Sequence, residues 1–392
     1  MDAPAGLAAS LALIHDMREE GWPSMDQMGE LLTSRLPLVA PGLRVTAVRH
    51  PLVRVVSRFA PADSSRAAFL ADRVINRMAL YPRRLRREVR GRFDLYHVVD
   101  HSYAQLVHDL PPGRTIVTCH DVDTFRSLAQ PEDEPRGALF RAMTRRILGG
   151  LRRAAWVVCG SEAARDDLVR LGLADPSRLR VVRNGIDPAL LDAPPPEARR
   201  RAAALWPADD GAVDVLHVGN DIPRKRVDRL LHIVAALRET GLRPRLIRVG
   251  SPIQPHHRQL AGQLSLTDRI VELPFLDRDV LRAVYERCAV LLLPSDREGF
   301  GLPVVEAFAA GRPAVISDIP ALREVAAGLA TSVVDGAPAA EWVEAIRHAL
   351  AQEGRDEGAR SRDRRAHAAS LTWDQHVRGL IPIYASLLGR HS

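Results

Sequence analysis

Lysine is almost absent from this chain: of its 55 lysines and arginines, Lys225 is the one lysine. Cysteine is nearly as scarce. Three residues, Cys119, Cys159 and Cys288, cannot all pair with one another, and each lies in or beside an apolar run, which reads as buried reduced thiols of a cytoplasmic protein and offers no metal-ligand spacing. Aromatic residues make up 5% of the chain, too few to interleave with the arginines as single-stranded nucleic acid requires, so no nucleic-acid partner is expected. No apolar run reaches the length of a membrane span. The opening residues, MDAPAGLAASLALIHDMREE, carry no basic leader, so Leu11–His15 reads as a first strand and export is not expected.

What is present is a soluble globular composition, 46% hydrophobic and 26% charged over 392 residues, enough for two domains. Its net charge of +7 comes almost wholly from arginine, and the pattern resembles a drift in codon usage more than a recognition surface. Short apolar runs alternate with helical patterns along the chain: Leu11–Ile14, Val45–Val48, Leu95–Val99, Thr115–Cys119, Trp156–Cys159 and Leu179–Val182 in the first half. In the second half they are Val213–Val218, Arg245–Val249, Arg269–Leu273, Ala289–Leu293, Ala314–Ser317 and Ser332–Val334. This is the alternation of parallel sheets with crossover helices, predicting two doubly wound, Rossmann-like α/β domains. The expected boundaries are 1–190, a proline-rich linker over 191–210, 211–370, and a closing helix over 371–392 that Pro382 kinks or interrupts.

One stretch concentrates chemistry. Pro294–Pro313, PSDREGFGLPVVEAFAAGRP, reads as a strand end, a loop, a helix from about Pro303 to Ala310, and a stop at Gly311. Gly299 and Gly301 bracket Phe300 and let an anion approach the backbone, while the helix start at Leu302 and Pro303 offers unpaired amides and a partial positive charge. Glu298 and Glu306 flank that point. Carboxylates repel phosphate but accept hydrogen bonds from hydroxyls, so a helix end between two carboxylates suits a nucleotide sugar.

These residues, with seven positions between Glu298 and Glu306, the run Gly299-Phe300-Gly301-Leu302-Pro303, and Gly311-Arg312-Pro313, resemble the signature of retaining glycosyltransferases of family 4. The resemblance implies the GT-B fold, two facing Rossmann-like domains with an inter-domain cleft. It implies transfer of a hexose-type sugar, without a metal or cofactor, from a nucleoside-diphosphate donor, UDP- or GDP-linked, to a hydroxyl of a glycan, lipid-linked or small-molecule acceptor. Glu306 would hold the ribose diol and Glu298 the transferred sugar. Gly219-Asn220-Asp221-Ile222-Pro223-Arg224-Lys225 follows the first strand of the second half, where family members carry an arginine after the glycine and a lysine a few residues on. Asn220 departs from that pattern, so the diphosphate grip would fall to Lys225, assisted by Arg224.

In the first half, His120 at a strand end resembles the family's histidine that faces the donor sugar, able to donate to a sugar hydroxyl. His101, Tyr103 and Trp22 are the acceptor-side candidates. Asp121-Val122-Asp123 spells the metal-binding pattern of the other main glycosyltransferase fold, but three residues recur by chance and no metal is expected. Arg83, Arg84, Arg86, Arg87 and Arg90 crowd one short stretch that could touch the inner membrane face, though a solvated arginine face is the plainer reading. Two alternatives stay open: a GT-B relative with other chemistry, a nucleotide-sugar epimerase or a phosphorylase, and a non-catalytic basic protein binding polyanions.

Overall fold

The computed structural model describes residues 8–59, 65–208, 211–355 and 357–389. It divides into two compact units, Met1–Asn184 with Trp373–Ser392, and Gly185–Thr372.

The first unit holds six strands, β1 (Ala9–Ile14), β2 (Leu43–Val48), β3 (Leu95–Val98), β4 (Thr115–Cys119), β5 (Trp156–Cys159) and β6 (Leu179–Val181). All pair in parallel, in the order β2-β1-β3-β4-β5-β6. Helices cover both faces, so the inner strands are buried on both sides and read as nearly unbroken apolar runs. Leu11, Leu13, Ile116 and Val158 face one side, and Ala12, Ile14, Val117 and Cys119 the other. The helix Trp373–Leu388 lays Trp373, Val377, Leu380 and Tyr384 into the first of these layers. That helix runs on through Pro382, so of the two outcomes expected there the interruption does not occur; burial of its apolar face outweighs the one backbone bond that proline removes.

The second unit repeats the scheme with β7 (Ala212–Val218), β8 (Arg243–Val249), β9 (Ile270–Leu273), β10 (Val290–Leu293), β11 (Ala314–Ser317) and β12 (Thr331–Val333). Their order is β12-β11-β10-β7-β8-β9, again all parallel. Leu216, Ile247, Leu291 and Ile316 face one layer, Val215, Leu246, Leu292 and Val315 the other. Much of the stretch expected as a linker is folded into this unit. Pro195 and Pro196 start a helix, Pro196–Leu205, because proline suits a first helical position; Ala198, Ala202 and Trp206 then bury into the unit's core.

Strand order decides where ligands can sit. In open parallel sheets the crevice opens beyond the carboxyl ends of the two strands at which the winding reverses. In the second unit those strands are β7 and β10, and in the first they are β1 and β3.

Candidate functional site

The loops after β7 and β10 lie side by side. The β7 loop turns at Gly219, makes the three-residue turn Pro223–Lys225, and enters the helix Val227–Glu239 through Arg226 at φ 49°. A backbone bond from Asp296 N–H to Arg224 O, at 2.8 Å, ties it to the β10 loop. Arg226 reinforces the tie by donating to Asp228 and, at 3.0 Å, to Asp296. Gly250, after β8, lets the β7 loop come this close, since a Cβ there would stand 2.4 Å from Gly219 O.

The tie brings the predicted donor-site residues together. Lys225 Nζ donates to Glu298 Oε1 at 2.6 Å, Ser295 Oγ donates to the same oxygen at 2.8 Å, and Arg224 donates to Oε2 at 3.0 Å. With two lone pairs on each carboxylate oxygen, Oε1 is filled and Oε2 has room for one more donor. The Glu298 side chain is 6% exposed. Burial pushes its carboxyl up, but the Lys225 ammonium and then the Arg224 guanidinium outweigh burial and hold it at about 2. Two cations and one carboxylate leave this cluster at +1.

Gly301 stands at φ 98°, where a Cβ would meet Leu322 Cδ2 at 2.6 Å. It therefore turns the chain into the helix Leu302–Ala309, with Gly299 and the buried Phe300 just before it. Glu306 lies in that helix, and the fully buried Tyr285 donates its hydroxyl to Glu306 Oε2 at 2.6 Å. Burial pushes the Glu306 carboxyl up and Asp187 adds to this, while the Tyr285 hydroxyl draws it back.

Several residues that sequence reasoning passed over belong here. Ser295 acts within its own loop, three residues from Glu298, whereas Tyr285 reaches Glu306 and the buried Arg248, which also donates to Ser251 O, reaches Gly219 O at 3.2 Å across longer stretches of sequence. His217 lies under the Gly219 turn, with a ring carbon 3.7 Å from where a Gly219 Cβ would be. Burial, then Arg248 and Lys225, keep its imidazole well below the ordinary range. A cavity of about 480 Å³ opens beside the turn, lined among others by Arg224, Arg226, His257 and Asp296. It shares Arg224 with the Glu298 cluster but reaches neither Glu298 nor Glu306.

In the first unit, His120 follows β4 and donates Nε2–H to Val99 O at 2.8 Å. A carbonyl can only accept, so the hydrogen is on Nε2 and Nδ1 keeps a lone pair, buried and without a partner among the described residues. Burial pushes this imidazole below its ordinary value. Neutral His120 is thus built to accept from a hydroxyl, not to donate to one as the sequence reading held. His101 accepts from His120 N–H at 3.3 Å and bonds Thr124 Oγ1 at 3.2 Å. Tyr103 is buried, its hydroxyl donating to Glu20 Oε1 at 2.9 Å. Trp22 is 43% exposed. Asp121 Oδ1 accepts the Asp123 N–H at 3.0 Å, an ordinary aspartate turn. Among the described residues no group of three or more His, Cys, Asp or Glu could hold a metal ion, and no helix is long and apolar enough to cross a membrane.

Comparison with known proteins finds relatives for both units. The family profile described as Glycosyl transferases group 1 matches residues 200–369, and that described as Glycosyltransferase Family 4 matches residues 38–190. D-inositol 3-phosphate glycosyltransferase of Mycolicibacterium smegmatis is 34% identical over 236 residues, 58% of this chain and 52% of the relative. The match thus spans about half the length of that relative. Among solved structures, sucrose-phosphate synthase from Thermosynechococcus elongatus superposes with a TM-score of 0.71 at 18% identity, covering 97% of this chain and 99% of the other. Anabaena HepE in complex with UDP-glucose does so with 0.70 at 16%, covering 96% and 99%. At these identities the structural likeness is one of fold.

Proposed function

Because the chain belongs to glycosyltransferase family 4 and has two Rossmann-like units of the GT-B fold, we propose that it moves a hexose from a nucleoside-diphosphate sugar to an acceptor hydroxyl, with retention at the anomeric carbon. The observation that carries this reading is the placement of Lys225, Arg224 and Glu298 beside the turn into the helix that bears Glu306. UDP is the favoured nucleotide, since a structural neighbour was solved with UDP-glucose. The relatives' name puts a hydroxyl of a small polyol phosphate first among acceptors, ahead of a lipid-linked glycan.

In this proposal the diphosphate lies against Lys225, Arg224 and the amides at Gly299–Leu302, which stabilise the charge that grows as it departs. Glu306 accepts both hydroxyls of the ribose diol. The remaining lone pair of Glu298 Oε2 takes a hydroxyl of the transferred sugar. The bond from the anomeric carbon to the phosphate oxygen breaks, the acceptor oxygen bonds that carbon on the same face, and the hydroxyl proton passes to the departing phosphate. No protein nucleophile and no metal takes part. A pyridoxal-dependent phosphorylase is disfavoured because Lys225, the one lysine, is held as an ammonium by Glu298.

We extend the proposal to peripheral contact with an anionic lipid face. Arg83, Arg84, Arg86 and Arg87 stand exposed on the helix Tyr81–Val89, with Arg90 at its end. Co-sedimentation with vesicles that contain phosphatidylglycerol, and none with neutral vesicles, is expected.

The test of the reaction is to incubate the protein with UDP-glucose, UDP-N-acetylglucosamine or GDP-mannose and a panel of polyols, polyol phosphates and sugars, and to read the anomeric coupling of any product by proton NMR. Acceptor-dependent release of the nucleoside diphosphate with the donor's own anomeric configuration is expected. An inverted product would overturn retention, and conversion of the donor without acceptor would replace transfer by epimerisation.

A further inference from the structure

The carboxyl end of β1 carries an aspartate with no role so far. Asp16 lies two residues past the end of β1 and is 1% exposed, and its Oδ1 has no hydrogen-bond partner among the described residues. Such a group is uncommon, because an unsatisfied buried carboxyl oxygen loses hydration with nothing in return. Its position is one that open parallel sheets reserve for ligands, the point between β1 and β3 where the winding of the first sheet reverses. Across that point stands Asp100, after β3, which accepts from Ser102 N–H at 2.8 Å and Ser102 Oγ at 2.6 Å.

The neighbours around it are already committed. Tyr103 donates to Glu20 and His101 is engaged at both nitrogens. Arg49, after β2, binds Asp26 of the helix Pro23–Val39 at 2.8 Å and His15 Nδ1 at 3.0 Å. Tyr81, on the helix behind, donates to His15 O at 2.6 Å. Among the described residues, the buried His120 and Asp16 each keep an open hydrogen-bonding atom at these strand ends, Nδ1 and Oδ1.

Resting on the transferase reading, we propose that Asp16 is a hydroxyl-binding residue that selects a polyhydroxylated acceptor in the first unit. A carboxyl can accept from a hydroxyl when ionised or donate to one when protonated, so a hydroxyl of a polyol satisfies Oδ1 in either state, whereas an apolar group leaves it unsatisfied and a phosphate group set against it is repelled. The groups facing it support this. Burial, then Asp100 and Asp26, push the Asp16 carboxyl up to about 7 against the pull of Arg49, so both forms are present near neutrality. Oδ1 is buried, so a ligand reaches it only when the surrounding chain yields, and in this proposal the part that yields is Met17–Trp22, the segment that follows Asp16. Its turn Arg18–Glu20 is fastened by Glu20 to the Tyr103 hydroxyl and to Arg73, and it leads to the exposed Trp22.

The experiment is carried out on the full chain with ¹³C-labelled aspartate carboxyls, the Asp16 signal being identified by its loss in Asp16→Asn. Myo-inositol, glucose, mannose and glycerol are the probes, each titrated with and without UDP. At least one polyol is expected to shift the Asp16 signal and its titration midpoint, and Asp16→Ala, which leaves no polar side-chain atom there, is expected to weaken that polyol about tenfold, the loss of one buried hydrogen bond. The same variant should keep the wild-type response to UDP, which uses the other unit's residues. A polyol that binds both proteins equally overturns the proposal, and so does an Asp16 signal that no probe moves. Failure of UDP to bind the wild type would instead strike the transferase reading. A merely structural Asp16 would change stability in the variant and leave polyol affinity alone.

Discussion

Replacing Glu298 by glutamine removes one negative charge and keeps the shape, and its two expected effects run in opposite directions. The folded carboxyl titrates near 2, against 4.5 for a free glutamate. That difference corresponds to about 3 kcal/mol of folding stability at pH 7. Because the folded value is the lower one, the contribution is complete above about 4.5 and is lost as pH falls from there through about 2. Removing one partner of a buried pair costs a similar amount, about 3–5 kcal/mol, since Lys225 and Arg224 stay behind without their counter-charge. For a unit of this size the melting transition should fall by roughly 6–20 °C. The freed cations should meanwhile hold UDP about tenfold more tightly, while turnover falls by about a hundredfold or more as the sugar loses its contact. Urea unfolding followed by the buried Trp206 and Trp342 reads the first effect, and calorimetric titration with UDP the second. A variant that melts with the wild type, or binds UDP more weakly, would refute the charge cluster as the phosphate grip.

Lys225→Arg keeps the charge but must fit a planar guanidinium into a buried position 2.6 Å from Glu298; turnover should fall at least about tenfold, and unchanged steady-state kinetics would contradict this. Gly301→Ala puts a methyl group 2.6 Å from Leu322 Cδ2 at φ 98°, which should cost about 3 kcal/mol by denaturant unfolding and weaken UDP binding as well. Activity in excess EDTA should equal that in added magnesium or manganese, and full loss in the chelator would reinstate a metal.

The strand pattern was legible in the sequence because parallel sheets covered on both faces demand continuous apolar runs, as in Leu291–Leu293 and Val157–Cys159. Glu298, Gly301 and Glu306 were legible for another reason: they fall within nine residues of one strand-loop-helix unit, where local geometry follows from spacing. The pairing of Lys225 with Glu298 was not. It spans 73 positions and exists because β7 and β10 are neighbours, a matter of strand order that no local pattern records. Tyr285 reaches Glu306, and Arg248 reaches Gly219, by the same kind of route. His120 was singled out by position, but the tautomer that decides whether it donates or accepts is set by Val99 O, just past the neighbouring strand, and no local pattern records that. Asp16 carried no signal beyond its place after a strand; its lack of a partner is a property of packing. The helix Pro196–Leu205 was hidden by prolines that mark a linker in one context and a helix start in another.

The measurement that bears most directly on the central claim is calorimetric titration of UDP and UDP-glucose into the wild type and Glu306→Ala in the presence of EDTA. Binding to the wild type, weakened at least about tenfold in the variant through loss of the carboxylate that takes the ribose diol, is the expected result. Equal affinity in the two proteins, or no binding of either ligand to the wild type, would contradict the assignment of the second unit as the nucleotide-sugar site.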